Sequence, residues 1–350
     1  MPDQQVEPPT ADAPPAPAAM VWVRDVSGLQ SVGVWTERVA GRGEDAEPLI
    51  AHHLGTAQGL IAVFDGSGGA GSAPVWQAPD GGTRTGAWVG SRVARLATDC
   101  WFHDVVTREQ PDTAEQLRDY LDYFHESAPQ RRSKIVGKMR RQLPTTLAAV
   151  QYHLRDDNEL EMQALWAGDS RAYLLHPGSG LHVVTRDHTE EADALALLRS
   201  DPPMTNSICA DREFTIDATR RTLQLPAVLL TATDGFFGYV HTPAEFEYVL
   251  LHTLMRAQST DEWADLIRRS VQGYTADDAS LALVALGYRD FSRLRSDFTQ
   301  RHADVRKLLG SGTPQATDQP SEIRAWQETT WQAYRVGYET YLPALPEERT

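Results

Sequence analysis

Three acidic corners, far apart in the chain, are the residues best placed to do chemistry. Asp65-Gly66 follows the apolar run Leu60-Ile61-Ala62-Val63-Phe64, and Asp234-Gly235 follows Val228-Leu229-Leu230-Thr231-Ala232-Thr233. Asp277-Asp278 immediately precede the run Leu281-Ala282-Leu283-Val284-Ala285-Leu286. Each corner falls where a strand runs out, so its carboxylate rides on rigid backbone and can converge with others on a hard, oxygen-preferring cation. Two such cations held close together share a bridging water, lower its pKa and neutralise a phosphoryl group under in-line attack. That chemistry needs carboxylates from separate segments and backbone carbonyls such as that of Gly66. It needs no nucleophilic Cys or Ser. A further acidic pair, Glu44-Asp45 in Gly41-Arg42-Gly43-Glu44-Asp45-Ala46, lies just before the first corner and could supply a ligand from the loop after the second strand. Taken singly, an Asp-Gly is an ordinary turn signal. The joint pattern is what points to metal.

The elements that must position these corners are legible in outline. Order is expected to begin at Met20-Val21-Trp22-Val23, with a second strand at Ser31 to Trp35. Residues 1–19 hold Pro, Ala, Asp and Gln with almost nothing to bury and read as a disordered leader. The Gly-rich stretch from Gly66 to Thr85 reads as loop. Helical periodicity then runs from about Ala87 to Asp104, and again from about Thr113 to Glu126. Two strand pairs follow: Thr145–Leu154 with Leu160–Ala167 across Arg155-Asp156-Asp157-Asn158, and Ala172–Leu175 with Leu181–Val184 across a Pro-Gly turn. Glu190 to Leu198 reads as a short helix ended by Asp201-Pro202-Pro203. Helices near Pro243–Met255 and Asp261–Gly273 separate the second and third acidic corners.

After Tyr288 the pattern changes. Asp290 to Leu309 is amphipathic, 310–320 is a linker, and Glu322 to Tyr341 is helical with Trp326, Tyr334, Tyr338 and Tyr341 on one stripe. That stripe either docks a partner or packs back on the domain. The predicted class is α+β, a four-layer αββα sandwich of two antiparallel sheets flanked by helix pairs. Its predicted divisions are a leader at 1–19, the domain at 20–288 and a helical C-terminal extension at 289–350.

Composition narrows the function classes. A chain of 350 residues can bury a large core, and 23% charged residues is ordinary for a soluble protein. A formal net charge of -15 argues against a nucleic-acid partner, which demands basic surface. The two cysteines, Cys100 and Cys209, are too few for a disulfide scaffold and suit a reducing compartment. No apolar run is long enough for a membrane span and no secretory signal is visible, so the expected location is the cytoplasm.

Six segments, in order, resemble the signature motifs of the metal-dependent Ser/Thr protein phosphatases, the type 2C or PPM family. Ile61-Ala62-Val63-Phe64-Asp65-Gly66-Ser67-Gly68-Gly69 is similar to V-F-D-G-x-G-G, and Thr145-Thr146-Leu147 to T-T-L. Gly168-Asp169-Ser170-Arg171-Ala172-Tyr173 is similar to G-D-S-R-x-Y, and Val184-Thr185-Arg186-Asp187-His188-Thr189 to L-T-x-D-H-[ST]. Thr233-Asp234-Gly235-Phe236 resembles the S-D-G corner, and Asp277-Asp278-Ala279-Ser280 resembles D-N-x-[ST].

The resemblance implies a phosphatase that hydrolyses phosphoserine or phosphothreonine in proteins, with two Mn2+ or Mg2+ ions and a third, weaker one. It implies that Asp65 bridges the pair and acts with Asp234 through metal-bound water, while Gly66 donates its carbonyl. Asp234 and Asp277 complete one metal, Glu44 or Asp45 reaches the other, and Asp169 holds the third. Asp187, His188 and Arg171 are expected to fix structure rather than touch substrate.

Three departures stand out. The family commonly has a phosphate-binding Arg four residues before the Glu of the Glu-Asp pair, and here that position is Ala40, leaving Arg38 or Arg42 to substitute. Ser67 stands where some members have a proton-donating His. Asp278 replaces the usual Asn. The alternative to a working phosphatase is therefore a weakly active or inactive relative that binds a phosphoprotein or a kinase and regulates by contact.

Overall fold

A computed structural model describes residues 19–79, 81–128, 142–155, 157–200, 202–310 and 319–344. The first half of the chain supplies β1 (Ala19–Val26), β2 (Leu29–Thr36), β3 (Leu49–His53), β4 (Gln58–Val63), α1 (Gly68–Gly71), β5 (Pro74–Gln77), β6 (Thr83–Thr85), α2 (Gly86–Arg108) and α3 (Ala114–Ser127). The strand-rich middle adds β7 (Leu147–Leu154), β8 (Glu159–Ala167), β9 (Arg171–His176), β10 (Gly180–Val183), α4 (Ala194–Leu197), β11 (Asp217–Gln224), β12 (Ala227–Ala232) and α5 (Asp234–Phe237). Then come α6 (Pro243–Arg256), α7 (Thr260–Tyr274), β13 (Ala279–Leu286), α8 (Phe291–Asp297), α9 (Thr299–Leu309) and α10 (Pro320–Tyr338). No helix among the described residues is long and apolar enough to cross a membrane.

Two antiparallel sheets form, in the orders β1-β2-β13-β12-β9-β10 and β11-β8-β7-β4-β3, with β5-β6 as a separate hairpin. Their facing sides share one core, in which Ile61, Val63, Val150 and Met162 of one sheet meet Leu174, Leu229, Val284 and Leu286 of the other. The outer side of the smaller sheet buries Leu60, Ala62, Leu147 and Leu165 against Ala94, Trp101, Leu117 and Leu121 of α2 and α3. The outer side of the larger sheet buries Val32, Val34, Leu230 and Leu283 against Leu250, Leu254, Trp263 and Ile267 of α6 and α7. Strands buried on both faces explain why β4, β12 and β13 read as unbroken apolar runs. Each such side chain contributes about 1.5–3 kcal/mol of burial. This is the four-layer αββα order expected.

Local chemistry moved several boundaries. The stretch from Gly66 to Thr85, expected to be loop, folds into α1 and the β5-β6 hairpin, and Trp76 of the hairpin stacks on Trp88 at 5.9 Å. The helix expected over 190–198 shrinks to α4, because the Asp193 side chain accepts the N–H groups of Leu195 and Ala196, both at 3.0 Å, and so caps it. The amphipathic run after Asp290 breaks into α8 and α9 at Phe298. The edge strands β3 and β11 carry no strong apolar alternation, and the sequence reading assigns them no element.

The aromatic stripe of α10 packs back: Tyr334 and Tyr338 lie in the same core as α6 and the larger sheet, the half-buried Trp326 packs against that core, and Trp331, not part of the expected stripe, joins it. Tyr341 falls beyond the helix and lies beneath the Arg221 guanidinium at 4.8 Å. The leader expected at 1–19 lies outside the described residues save Ala19, which begins β1. Most of the linker at 310–320 lies outside them too.

Candidate metal centre

All three corners occur at one end of the sandwich. Asp65 is two residues past β4, Asp234 opens α5 directly after β12, and Asp277 and Asp278 lead into β13. Neighbouring motifs clamp the Asp65 backbone. Its carbonyl accepts from the Thr146 N–H at 2.8 Å and the Thr145 hydroxyl at 2.7 Å, and its own N–H donates to Thr146 Oγ1 at 3.2 Å. Thr146 Oγ1 in turn lies 2.6 Å from Ser170 Oγ. One hydroxyl thus ties together the Asp-Gly corner, the Thr-Thr-Leu strand and the Gly-Asp-Ser-Arg turn. A side chain at Gly66 would come within 2.6 Å of the Glu44 carbonyl and 2.7 Å of the Ala87 carbonyl, which explains glycine there.

The loop between β2 and β3 brings in Glu44 and Asp45. It is wrapped around two carboxylates that accept backbone N–H groups. Glu37 takes those of Gly41 and Gly43, at 2.6 and 3.0 Å. Asp278 takes those of Arg38 and Glu44, at 2.8 and 2.7 Å. Asp278 is therefore occupied in shaping the loop. Asp45 is 3% exposed, and its Oδ2 accepts from the Thr233 hydroxyl at 2.8 Å. Glu44 Oε1 accepts from the Thr85 hydroxyl at 2.5 Å, and Arg92 donates to the Glu44 carbonyl at 3.2 Å. Asp277 Oδ2 accepts from the Tyr239 hydroxyl at 3.3 Å, and its Oδ1 from the Asp278 N–H at 2.8 Å.

The acids form one electrostatic neighbourhood. Desolvation, then the charges of Asp45, Asp234, Asp169 and Asp277, hold the Asp65 carboxyl well above the usual carboxylate range. Asp45 is raised well above it by burial first and by Asp278, Asp234 and Asp277 after it, against the pull of the Thr233 hydroxyl. Glu44 and Asp277 are raised too, again by burial first. Proteins do not gather desolvated like charges at strand ends for stability. An all-oxygen donor set of this kind fits a hard divalent cation. Among the described residues, however, no three His, Cys, Asp or Glu side chains already converge on one point in ligand geometry. A cation would have to draw the carboxylates in from their present hydrogen bonds.

The other expected residues divide clearly. Arg171 forms a buried fork with Asp187, its Nε and Nη2 at 2.9 and 2.7 Å, and lies 4.2 Å over the Phe237 ring. His188 Nδ1 accepts the Gly168 N–H at 3.0 Å. Both play the structural part expected of them. Asp169 borders a cavity of about 380 Å³ together with Asp234, Asp277 and Tyr239. Arg38 and Arg42 are both exposed on the Glu37 loop. The positive charge of Arg38 acts on Asp277 and Tyr239. The sequence reading did not single out Glu37, Thr85, Thr233 or Tyr239; Thr233, immediately before Asp234-Gly235, was the one with a local signal.

No protein-family profile matches the chain, and no curated protein matches it by sequence. Solved structures do match in shape. A bacterial serine phosphatase superposes with a TM-score of 0.51 at 16% identity, covering 78% of this chain and 99% of that one. The serine/threonine phosphatase Stp1 from Staphylococcus aureus gives 0.50 at 15% identity, covering 80% and 99%. A sex-determining protein of C. elegans gives 0.55 at 16% identity, covering 78% and 68%. The chain has the fold of the Ser/Thr phosphatases whose motifs it resembles.

Proposed function

We propose that the protein is a divalent-metal-dependent phosphatase acting on phosphoserine and phosphothreonine in proteins. The observation that carries this reading is the set of mutually repelling carboxylates at one end of the sandwich, the desolvated Asp45, Asp65 and Asp277 together with Asp234. Asp65 would bridge two Mn2+ or Mg2+ ions with the Gly66 carbonyl beside it. Asp234 and Asp277 would hold one ion, Glu44 or Asp45 would reach the other, and Asp169 would take a third, weaker one. Bound there, such cations supply acidified water and charge neutralisation for a phosphoryl group.

The chain's own residues do the rest. Thr145 and Thr146 fix the Asp65 backbone, Thr233 orients Asp45, and Asp278 holds the loop that carries Glu44. Arg38 is the better placed of the two loop arginines to meet a phosphate, since its charge already reaches Asp277. The two free cysteines fit a reducing compartment, consistent with the cytoplasm.

A second reading, a weakly active module that binds a phosphoprotein or kinase and regulates by contact, draws support from Ala40, which stands where the resembled family commonly has a phosphate-binding Arg. Hydrolysis of a chromogenic aryl phosphate with and without manganese separates the two. Metal-dependent turnover is expected, and its absence across manganese and magnesium concentrations overturns the enzymatic reading.

A further inference from the structure

The cavity beside the acids is also lined by Leu197, Leu198, Arg199 and Ser200 at and just after α4. Two arginines line it among the described residues. Arg171 is consumed by its buried fork with Asp187. Arg199 is held differently: its side chain stays 37% exposed, with Glu328 at 3.6 Å and Gln327 at 3.3 Å. Both partners belong to α10, and Glu328 itself is 54% exposed. Exposed pairs at such distances hold weakly and give way to a better anion.

We infer that Arg199 is a substrate-recognising cation of this cavity. Its guanidinium takes an oxyanion of the bound phosphoprotein, either a phosphoryl oxygen or a carboxylate flanking the phosphorylated residue. Asp169, Asp234 and Asp277 in the lining repel any anion that enters, so entry is favoured by positive charge elsewhere in the same lining. The planar fork of arginine suits carboxylate and phosphoryl oxygens alike.

The same helix that holds Arg199 also fastens two neighbouring segments whose residues reach the cavity lining. Trp331 Nε1 donates to Asp193 at 3.1 Å and Arg335 pairs with Asp193 at 3.0 Å, which anchors the α4 segment. Gln327 Nε2 donates to the His241 carbonyl at 3.1 Å, which anchors the segment after Tyr239. Helix α10 thus holds Arg199 and the two segments that border the cavity. This inference rests on the phosphatase reading for the identity of the ligand, and its test includes a binding arm that does not need turnover.

The experiment compares wild type, Arg199→Ala, Arg199→Lys and Glu328→Gln in manganese. Binding of fluorescent phosphoserine peptides with alanine or glutamate flanks is read by anisotropy, and KM and kcat are read on the same peptides and on an aryl phosphate. Arg199→Ala is expected to weaken binding and raise KM about tenfold with kcat little changed. Arg199→Lys should recover only part of the loss, and Glu328→Gln should tighten binding by freeing the guanidinium. A loss shared by the aryl phosphate identifies the phosphoryl group as the ligand, and a loss confined to glutamate-flanked peptides identifies the carboxylate; either upholds the inference. Unchanged binding and KM in Arg199→Ala overturn it, as does weaker binding in Glu328→Gln should the first variant fail to fold. A wild type that binds peptide through Arg199 without metal-dependent hydrolysis sinks the enzymatic reading alone.

Discussion

At the scale of single residues, the acids at the strand ends carry opposite consequences for stability and for chemistry. Burial and four neighbouring carboxylates oppose a charge on Asp65, so its ionised form carries an energetic cost. Asp65→Asn removes that cost along with a proposed metal ligand. We expect metal-dependent turnover to fall by at least about a hundredfold while the metal-free melting temperature rises. A variant that turns over like wild type, or melts lower in chelator, would contradict both halves of this account. Asp278 has another job. Asp278→Asn places an amide against one of the two backbone N–H groups it now accepts, and should cost about 1–3 kcal/mol in denaturant unfolding. An unchanged midpoint would remove Asp278 as the anchor of the Glu37 loop. Arg38→Ala should raise KM for phosphorylated substrates more than Arg42→Ala does, since the Arg38 charge is among the main influences on Asp277. Equal KM values for the two variants would count against Arg38.

At the scale of elements, the unbroken apolar runs of β4, β12 and β13 were legible because these strands are buried on both faces, and their ends located the acids. The amphipathic helices were legible for the same reason of periodicity. The β5-β6 hairpin was not, because its stabilising contact is Trp76 on Trp88, a residue outside the segment. Nor did the stripe on α10 declare its partner. Periodicity shows that a face is apolar, not what covers it. Trp331 is 1% exposed, packs edge-on to Tyr338 at 5.7 Å and bonds Asp193. Trp331→Ala is expected to cost about 3–5 kcal/mol in chemical denaturation. A loss below ~1 kcal/mol would show α10 to be a loosely attached extension rather than part of the core.

At the scale of the whole molecule, the acidic end couples stability to pH and, on the proposed reading, to metal. The folded-state pKa values of Asp45 and Asp65 are raised above the unfolded carboxylate value of about 3.9. Their contribution to metal-free stability is therefore fully present below that value and is lost as pH rises through the raised ones. A bound cation opposes that loss at neutral pH. Manganese should add about 2.7 kcal/mol at a hundredfold excess over its dissociation constant near pH 7.5, and much less near pH 4.5, where protons compete for the same oxygens. Thermal melts with manganese and with chelator at both pH values read this directly. No manganese-induced shift at neutral pH would argue against the metal centre itself.

The sequence by itself determined that carboxylates end rigid strands, that two antiparallel sheets lie between helices, and that the motifs follow a phosphatase order. These are properties of residue type, spacing and local periodicity. Only the tertiary structure decided that Asp45 and Asp65 share one desolvated neighbourhood, that Asp278 folds a loop, and that Arg199, tied to α10, lines the same cavity as Asp234 and Asp277. Those relations join segments far apart in the chain through hydrogen bonds, burial and charge, and no local pattern records which distant group will lie nearby.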